Sequence, residues 1–457
     1  MPIRETKTLN YNLHLSRREL VGAAGASALA AGFLPPTIGA AQSNRDGFEV
    51  PLDLQREMYA AALNIAKSKI RGGNADSAYK KPFVDAAFSD NIFLWDTCFI
   101  ATYAKYHQDE LPIANALDNF YNLQDSDGYI CREYTKMGLP FWPKNHPVSI
   151  NPPLLAFAEL ELFSQSQDLV RLRRVYPSLV KFYDFLIANY RLEDGLFFND
   201  AFGSGMDNID RFPINWRDDG QGIPLINLYP ELFDYNSLTS KWNRQGRSVD
   251  ISAQMALFAD NLISIARLIG RQQDIPAYRV FFEATKTAIN DKCWSEADGF
   301  YYDLGYGQQI KRKHIGMFWT LIAGIVPTNR LPRLLAHLTD PNQFWRRFPL
   351  ATTPADEIGF SPLGDYWHGS VWAPTNYMVI RGLRRYGQNN LAMRLARQYY
   401  WCVAQVYNET HTFWENYAPD SLSRGNVSQP NFCGWTGLVP IAIYHEFIRT
   451  NHSTSRA

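Results

Sequence analysis

The chain has 457 residues, with 45 basic and 45 acidic side chains and a formal net charge of zero. That balance, with no long basic run, argues against nucleic acid as the main partner. The aromatic share of 14%, including 12 Trp and 25 Tyr, fits either a large core or a surface of flat rings for a ring-shaped ligand, and composition does not separate the two.

The N-terminus is specific. Ser16-Arg17-Arg18-Glu19-Leu20-Val21 precedes an Ala/Gly-rich apolar run to Ile38, broken by Pro35-Pro36, and Gly39-Ala40-Ala41 then offers small residues for cleavage. The pattern predicts a twin-arginine signal peptide over 1–41 and a periplasmic or extracellular location. A membrane anchor is the competing reading, opposed by the weak hydrophobicity, the prolines and the small-residue exit. No later segment has 18 uninterrupted apolar residues, so no membrane association is expected once the signal is removed. A linker over 42–52 and one domain over 53–457 are expected, because no composition break marks a second.

Helical patterning fills that domain. Asp53 reads as an N-cap, followed by Leu54, Met58, Ala61 and Ile65 at helical spacing. Trp95–Tyr106 can form a helix with Phe99 and Tyr103 on one face. Leu111, Ala114, Leu117, Phe120 and Leu123 mark the next. Pro152-Pro153 suits the start of another, carrying Leu155, Ala158 and Leu162. Leu179, Phe182 and Leu186 follow. A long irregular stretch from about 195 to 247, rich in Gly, Pro, Asn, Asp and aromatics, reads as an ordered functional loop. Ile251, Met255, Phe258, Leu262, Ile265 and Ile269 give the cleanest stripe. Further helices are predicted near 275–290, 315–325, 370–386, 389–407 and 434–449, for ten to twelve in all and few strands.

Two patterns speak to architecture. Asp127-Gly128-Tyr129, Asp194-Gly195-Leu196 and Asp298-Gly299-Phe300 each follow a helix and read as a tight turn into a short extended piece. Their recurrence suggests repeated helix-pair units, although such turns also arise by chance. The cysteines, Cys98, Cys131, Cys293, Cys402 and Cys433, are odd in number and form no CxxC. They suggest neither a disulfide framework nor a zinc site, and read as small buried residues.

Five loop clusters combine acids with aromatic rings. They are Phe93-Leu94-Trp95-Asp96, Tyr129-Ile130-Cys131-Arg132-Glu133, Phe202-Gly203-Ser204-Gly205-Met206-Asp207-Asn208, Gly364 to Trp372, and Phe413-Trp414-Glu415-Asn416-Tyr417. In the third, small residues let the backbone bend tightly just before Asp207, a candidate acid. Carboxylates among tryptophans suit glycoside chemistry, in which one carboxyl stays protonated and the other is ionised. Each cluster also has a structural reading. Trp95-Asp96 fits a buried indole with an N-cap aspartate, Arg132-Glu133 an ion pair, His368 a hydrogen-bonded core histidine, and Glu415 a helix-end charge. No GxSxG, HExxH, Walker loop or GxGxxG in a strand–helix setting occurs, which weakens serine-hydrolase, zinc-protease and nucleotide-binding readings.

In this order and spacing the clusters resemble the catalytic domain of glycoside hydrolase family 63, and more distantly the trehalases, over about Leu54 to Phe447. The resemblance rests on Phe93-Leu94-Trp95-Asp96-Thr97, on Asp127 to Glu133, on Ser204-Gly205-Met206-Asp207-Asn208, on Tyr366-Trp367 through Trp372 to Tyr377, on Trp414-Glu415-Asn416-Tyr417, and on Gly434-Trp435-Thr436-Gly437-Leu438. It implies an all-α fold, an (α/α)6 barrel or six-hairpin toroid with long active-site loops and short β pieces. It also implies hydrolysis with inversion at the anomeric carbon. Asp207 would be the general acid and Glu415 the general base. Trp95, Asp96, Arg132, Glu133, Asn208, Trp367, His368, Trp372 and Trp414 would contact a small carbohydrate. No metal or organic cofactor is needed for this chemistry.

The chain departs from the family at two places beside the expected pocket. Gly203 stands where members often have Glu, and His368-Gly369-Ser370 where they often have Arg-Gly-Pro. The length leaves no room for the extra N-terminal β-sandwich of larger members, which points to a small substrate such as a disaccharide or glycosyl acid. The leading expectation is an exported, inverting, exo-acting α-glycosidase. A sugar epimerase or isomerase on the same barrel, and a non-catalytic glycan-binding protein, are the alternatives. Oligomeric state is not encoded in any pattern of the sequence.

Overall fold

The computed structural model describes residues 47–73, 76–86, 89–142, 144, 147–211, 245–432 and 434–449. The expected signal peptide, part of the linker, Cys433 and most of the irregular stretch lie outside these residues. The described chain is mostly helical, as expected of an all-α fold. In order, α1 spans Leu52–Ser68, α2 Leu94–Ala104, α3 Ile113–Asn122, α4 Leu155–Ser166, α5 Leu169–Tyr190, α6 Val249–Ile269 and α7 Ile275–Lys292. There follow α8 (Trp319–Ile322), α9 (Leu331–Thr339), α10 (Ala373–Arg385), α11 (Asn389–Thr410) and a C-terminal π-helix, Val439–Ile448.

The strands are two or three residues long and pair as small antiparallel pieces between helices, such as Ile92–Phe93 with Glu133–Tyr134. All three Asp-Gly turns behave as the sequence suggests. Gly128, Gly195 and Gly299 take positive φ, and Trp294–Ser295 pairs with Phe300–Tyr301 across the last of them.

Contacts between helices close a circuit. α2 packs on α4, α4 on α6, α6 on α8, and α8 on α10. The 3-10 turn Thr436–Leu438 touches α10, and the π-helix that continues it touches α2. The remaining long helices lie against these: α1 on the π-helix, α3 on α2, α5 and α7 on α6, and α11 on α10. The two sets differ in burial for that reason. Every residue of α2 is buried, whereas α1 buries only Gln55, Met58, Ala62 and Ala66, one face at helical spacing. Inner helix α6 is long and apolar enough by composition to cross a membrane, but it is largely buried within the protein. Its apolar character is that of a central helix covered all round.

Several local expectations are corrected. Asp53 is not a cap: the helix starts at Leu52 after Pro51, and Asp53 sits in the first turn, 3.3 Å from Arg56. Asp96 likewise sits in the first turn of α2, behind the N-cap Phe93. Pro152-Pro153 precede α4, which begins at Leu155. Helix α9 had no counterpart among the predicted helices, and the last predicted helix is of π type. Helix α5 runs through Pro177 and is capped by Asp168, whose side chain accepts the Arg171 N–H at 2.9 Å. Cys98, Cys131, Cys293 and Cys402 are free and buried.

Candidate active site

The loop carrying Asp207 is held from both sides. Asp200 opens it: its Oδ1 accepts the Gly203 N–H at 2.6 Å, and its carbonyl accepts the Ser204 N–H at 3.0 Å. The Arg132 guanidinium donates to the Phe202 carbonyl, and Asn151 Nδ2 donates to the Gly203 carbonyl at 3.1 Å. Gly205 then takes φ of 78°, and a Cβ there would stand 3.0 Å from the Trp95 ring. Only glycine gives both that backbone turn and that approach of loop to indole.

Arg211 closes the loop. Its buried guanidinium donates to both oxygens of Asp250 at 2.8 and 2.9 Å and to Asp303 Oδ2 at 2.8 Å. Asp303 also accepts the Val249 N–H at 2.8 Å, so the anchor is the first turn of α6. Burial opposes the charge on Asp303, but Arg211 overrides it and holds the carboxyl well below its ordinary range.

Asp207 projects from this loop toward the segment 365–372. The Tyr366 hydroxyl donates to Asp207 Oδ2 at 3.3 Å. Asn208 straps the two segments together, accepting the Trp367 N–H at 2.8 Å and donating to the Asp365 carbonyl at 3.1 Å. Tyr366 itself has φ of 58°, a left-handed conformation uncommon for a bulky residue.

Behind these residues stands a cluster of four tryptophans. Trp367 and Trp372 stack flat, with centroids 3.9 Å apart and planes 3° apart. Trp95 lies 6.1 Å from Trp367 and 5.8 Å from Trp435, and Trp435 lies 5.5 Å from Trp372. The Trp372 indole N–H is fixed on the Tyr366 carbonyl at 3.0 Å. Trp435 reaches the other acid: its indole N–H donates to the Glu415 carbonyl at 3.1 Å. Glu415 is only 2% exposed, and its N–H is held by the Gln429 carbonyl at 2.9 Å. Val371 and Tyr417 exchange two backbone hydrogen bonds, joining segment 365–372 to segment 413–417. Asp207 and Glu415 thus sit on segments braced by one aromatic cluster.

The other candidates divide. Trp95, Trp367 and Trp372 belong to that cluster. Asp96 is packed against the Gly434 backbone, where a Cβ would come 2.7 Å from Asp96 Oδ1. Arg132 touches the acid loop and lies 5.4 Å over the Trp142 ring. Glu133 takes the Asn91 amide at 2.6 Å and the Trp142 indole N–H at 2.8 Å. His368 is flanked by Asp210 at 3.6 Å and Asp365 at 4.0 Å. The Trp414 indole N–H donates to the Thr410 hydroxyl at 3.2 Å, and the Arg424 guanidinium lies 5.1 Å over its ring. Among the described residues no group of three or more His, Cys, Asp or Glu is placed to share a metal ion.

Four residues absent from the candidate set shape the site: Tyr366, Trp435, Asp200 and Arg211. The first two lie inside motifs quoted above. Asp200 is half-buried by surface, yet densely surrounded, and burial pushes its carboxyl up to about 6. The Gly203 N–H, Arg132 and Arg211 pull it down, while Asp207 pushes it further up. Its only sequence signal is an aspartate in a turn-rich stretch.

Residues 89–429 match a family model described as the mannosylglycerate hydrolase MGH1-like glycoside hydrolase domain. An uncharacterized protein of Borreliella burgdorferi is 27% identical over 335 residues, covering 72% of this chain and 64% of that one. The mannosylglycerate hydrolase of Rubrobacter radiotolerans is 32% identical over 139 residues, covering 30% of this chain and 31% of that one. The crystal structure of a GH63 mannosylglycerate hydrolase from Thermus thermophilus in complex with glucose aligns with a TM-score of 0.68 at 21% identity, covering 84% of this chain and 99% of that one. That structural likeness concerns the fold. The chain spans less than two thirds of the length of these two curated relatives.

Proposed function

The chain belongs to the mannosylglycerate hydrolase MGH1-like glycoside hydrolases of family 63, and on that premise we propose that it is an exported, inverting, exo-acting α-glycosidase. Its substrate would be a small α-mannoside or α-glucoside, with mannosylglycerate, named for the Rubrobacter relative, among the first to test. The fold reading is an (α/α)6 barrel over 53–457, supported by the closed circuit of helix contacts. Export rests on Arg17-Arg18 and the apolar run behind them.

Asp207 would protonate the glycosidic oxygen as the bond to the anomeric carbon breaks. Glu415 would take a proton from a water attacking the opposite face of the sugar. This chemistry asks for about 6.5–9.5 Å between the carboxyls, enough for that water. The Tyr366 hydroxyl donates to Oδ2 of Asp207 and would help to orient the carboxyl. The Trp367 indole N–H is buried and has no hydrogen-bond partner among the described residues, which suits a donor to a sugar hydroxyl.

The observation that carries the reading is the common bracing of Asp207 and Glu415 by the tryptophan cluster. The test is a panel of mannosylglycerate, glucosylglycerate and α-linked disaccharides, assayed for released monosaccharide. Asp207→Asn and Glu415→Gln are expected to lower release by about a thousandfold from whichever substrate the wild type cleaves. Full activity in either variant would remove that residue from its role. An epimerized sugar without cleavage would point to an isomerase, and binding without turnover to a glycan-binding protein.

A further inference from the structure

We infer that Tyr59, His107 and His445 form an acid-sensitive latch that ties outer helix α1 to the C-terminal π-helix and opens when both imidazoles are protonated. The latch lies beyond the C-terminus of α2, whose first turn carries Trp95 beside the acid loop, and it does not draw on the proposed reaction. The Tyr59 hydroxyl, on α1, is 2.6 Å from His107 Nε2 and 2.8 Å from His445 Nε2. His107 comes from the 3-10 turn Lys105–His107 after α2, and His445 from the π-helix. All three residues are half-buried. Among the described residues, the two imidazoles are the hydroxyl's hydrogen-bond partners.

A phenol has one hydrogen to give, so it donates to one ring and accepts from the other. Glu110 sets the direction. Lys67 bonds its Oε2 and, with His107, holds the carboxyl below its ordinary range, so it accepts and does not donate. Its Oε1 is 3.1 Å from His107 Nδ1, which puts the His107 hydrogen on Nδ1 and leaves Nε2 as an acceptor. Tyr59 therefore donates to His107 and accepts from the His445 Nε2–H. One added proton, on His107, reverses the chain: His107 donates to Tyr59, and Tyr59 donates to His445 once that ring carries its hydrogen on Nδ1. A second proton makes both rings donors and leaves the phenol hydrogen without an acceptor.

The surroundings oppose that second proton. Burial first, then Arg449, His107 and Lys105, bring His445 down to about 4 against the pull of Glu446. The His445 ring stacks on Tyr106 with centroids 4.0 Å apart. Lys105 and Glu446 are in turn engaged by Glu161 of α4 and Tyr377 of α10. From α11, Tyr400 meets Tyr444 at 6.5 Å, and His411 just past that helix meets Glu57 of α1 at 3.8 Å, apart from the latch. Burial, then Tyr444, push the Tyr59 phenol up to about 12, so it keeps its hydrogen throughout. The unfolded chain protonates a histidine at about 6.5. The latch therefore contributes fully above about that pH, and its contribution is lost as pH falls to about 4.

The test is amide hydrogen exchange at about pH 7 and about pH 4, corrected for intrinsic rates, on the wild type, Tyr59→Phe and His445→Gln. In the wild type, α1 is expected to lose about tenfold in protection relative to α6 at the lower pH. Glutamine at 445 keeps an N–H for Tyr59 and takes up no proton, so α1 is expected to hold its protection. Phenylalanine at 59 removes the latch, and α1 is expected to exchange faster at both values. A ratio of α1 to α6 protection that is constant in the wild type, or that falls equally in His445→Gln, overturns the inference. Long-range 1H–15N NMR of the wild type at about pH 7.5 reads the imidazoles with no variant. His107 is expected as the Nδ1–H tautomer and His445 as the Nε2–H tautomer, and any other pairing overturns the hydrogen-bond chain on which the latch depends.

Discussion

Two crowded carboxyls, Glu161 toward the C-terminal ends of the inner helices and Asp200 on the loop that carries Asp207, are handled in opposite ways. At the C-terminal ends, Lys105 bonds Glu161 at 2.5 Å and Glu446 at 3.1 Å, and Arg381 bonds Glu161 at 2.9 Å. The Arg381 guanidinium also donates to the Tyr377 hydroxyl at 2.7 Å, and Tyr377 donates to Glu446 at 2.8 Å. These residues come from α4, α10, the π-helix and the turn after α2, so the network ties four parts of the circuit. Burial opposes the charge on Glu161, but Arg381 and Lys105 bring its carboxyl down to about 2. On the loop of Asp207, Asp200 is crowded too, yet its carboxyl rises to about 6. The difference is partnership: two bonded cations for Glu161, a backbone N–H for Asp200. A carboxyl bonded by cations stays charged in the fold, and burial raises the pKa of one held by a backbone N–H.

Four changes break or sharpen that contrast. The largest effect is expected at the proposed acid. Asp207→Asn should lower kcat/KM by about a thousandfold, the scale of lost general-acid catalysis, with an unchanged melting temperature; steady-state kinetics and calorimetry read the two. Next is the far end. Glu161→Gln leaves Lys105 and Arg381 short of a buried counter-charge and should cost about 3–5 kcal/mol, measured by urea unfolding, while the folded fraction keeps wild-type kcat. Tyr366→Phe removes the hydroxyl on Asp207 and should lower kcat/KM by about tenfold, the scale of one hydrogen bond to a charged group. An unchanged rate would place that phenol outside the reaction.

The smallest effect is the pH dependence of stability, and the two carboxyls differ in sign. The Glu161 carboxyl is lowered in the folded protein, so its contribution is present above pH 4.5 and is lost as pH falls toward about 2. The Asp200 carboxyl is raised, so the folded protein holds a proton that the unfolded chain has released. Stability therefore declines as pH rises from about 4 to about 6. Melting temperatures of wild type and Asp200→Asn across that upper window isolate the term, and the variant should show a flatter profile.

Sequence legibility followed the same division. Helices with a repeating apolar face were readable, because the 3.6-residue period survives without knowledge of the partner: α1, α3 and α6 lie where their stripes put them. Short α9 offered too few turns to show a period, and α5 was read from Leu179, Phe182 and Leu186 but not in its first half, before Pro177. At the site, Trp95, Asp207, Trp367, Trp372 and Glu415 were legible because acids and indoles stand together in short motifs. Asp200 and Arg211 were not, since their partners Gly203, Asp250 and Asp303 are assembled by the turn and by contacts across the fold. Trp414 shares a motif with Glu415, yet faces Thr410 and Arg424. Adjacency in sequence does not set which way a ring points.

The most direct measurement is time-resolved proton NMR of the sugar released from an α-linked substrate, begun before mutarotation. The account expects the β-anomer first, because Asp207 and a water activated by Glu415 would act on opposite faces of the ring. Release of the α-anomer first, or no release from any α-linked substrate, would contradict it.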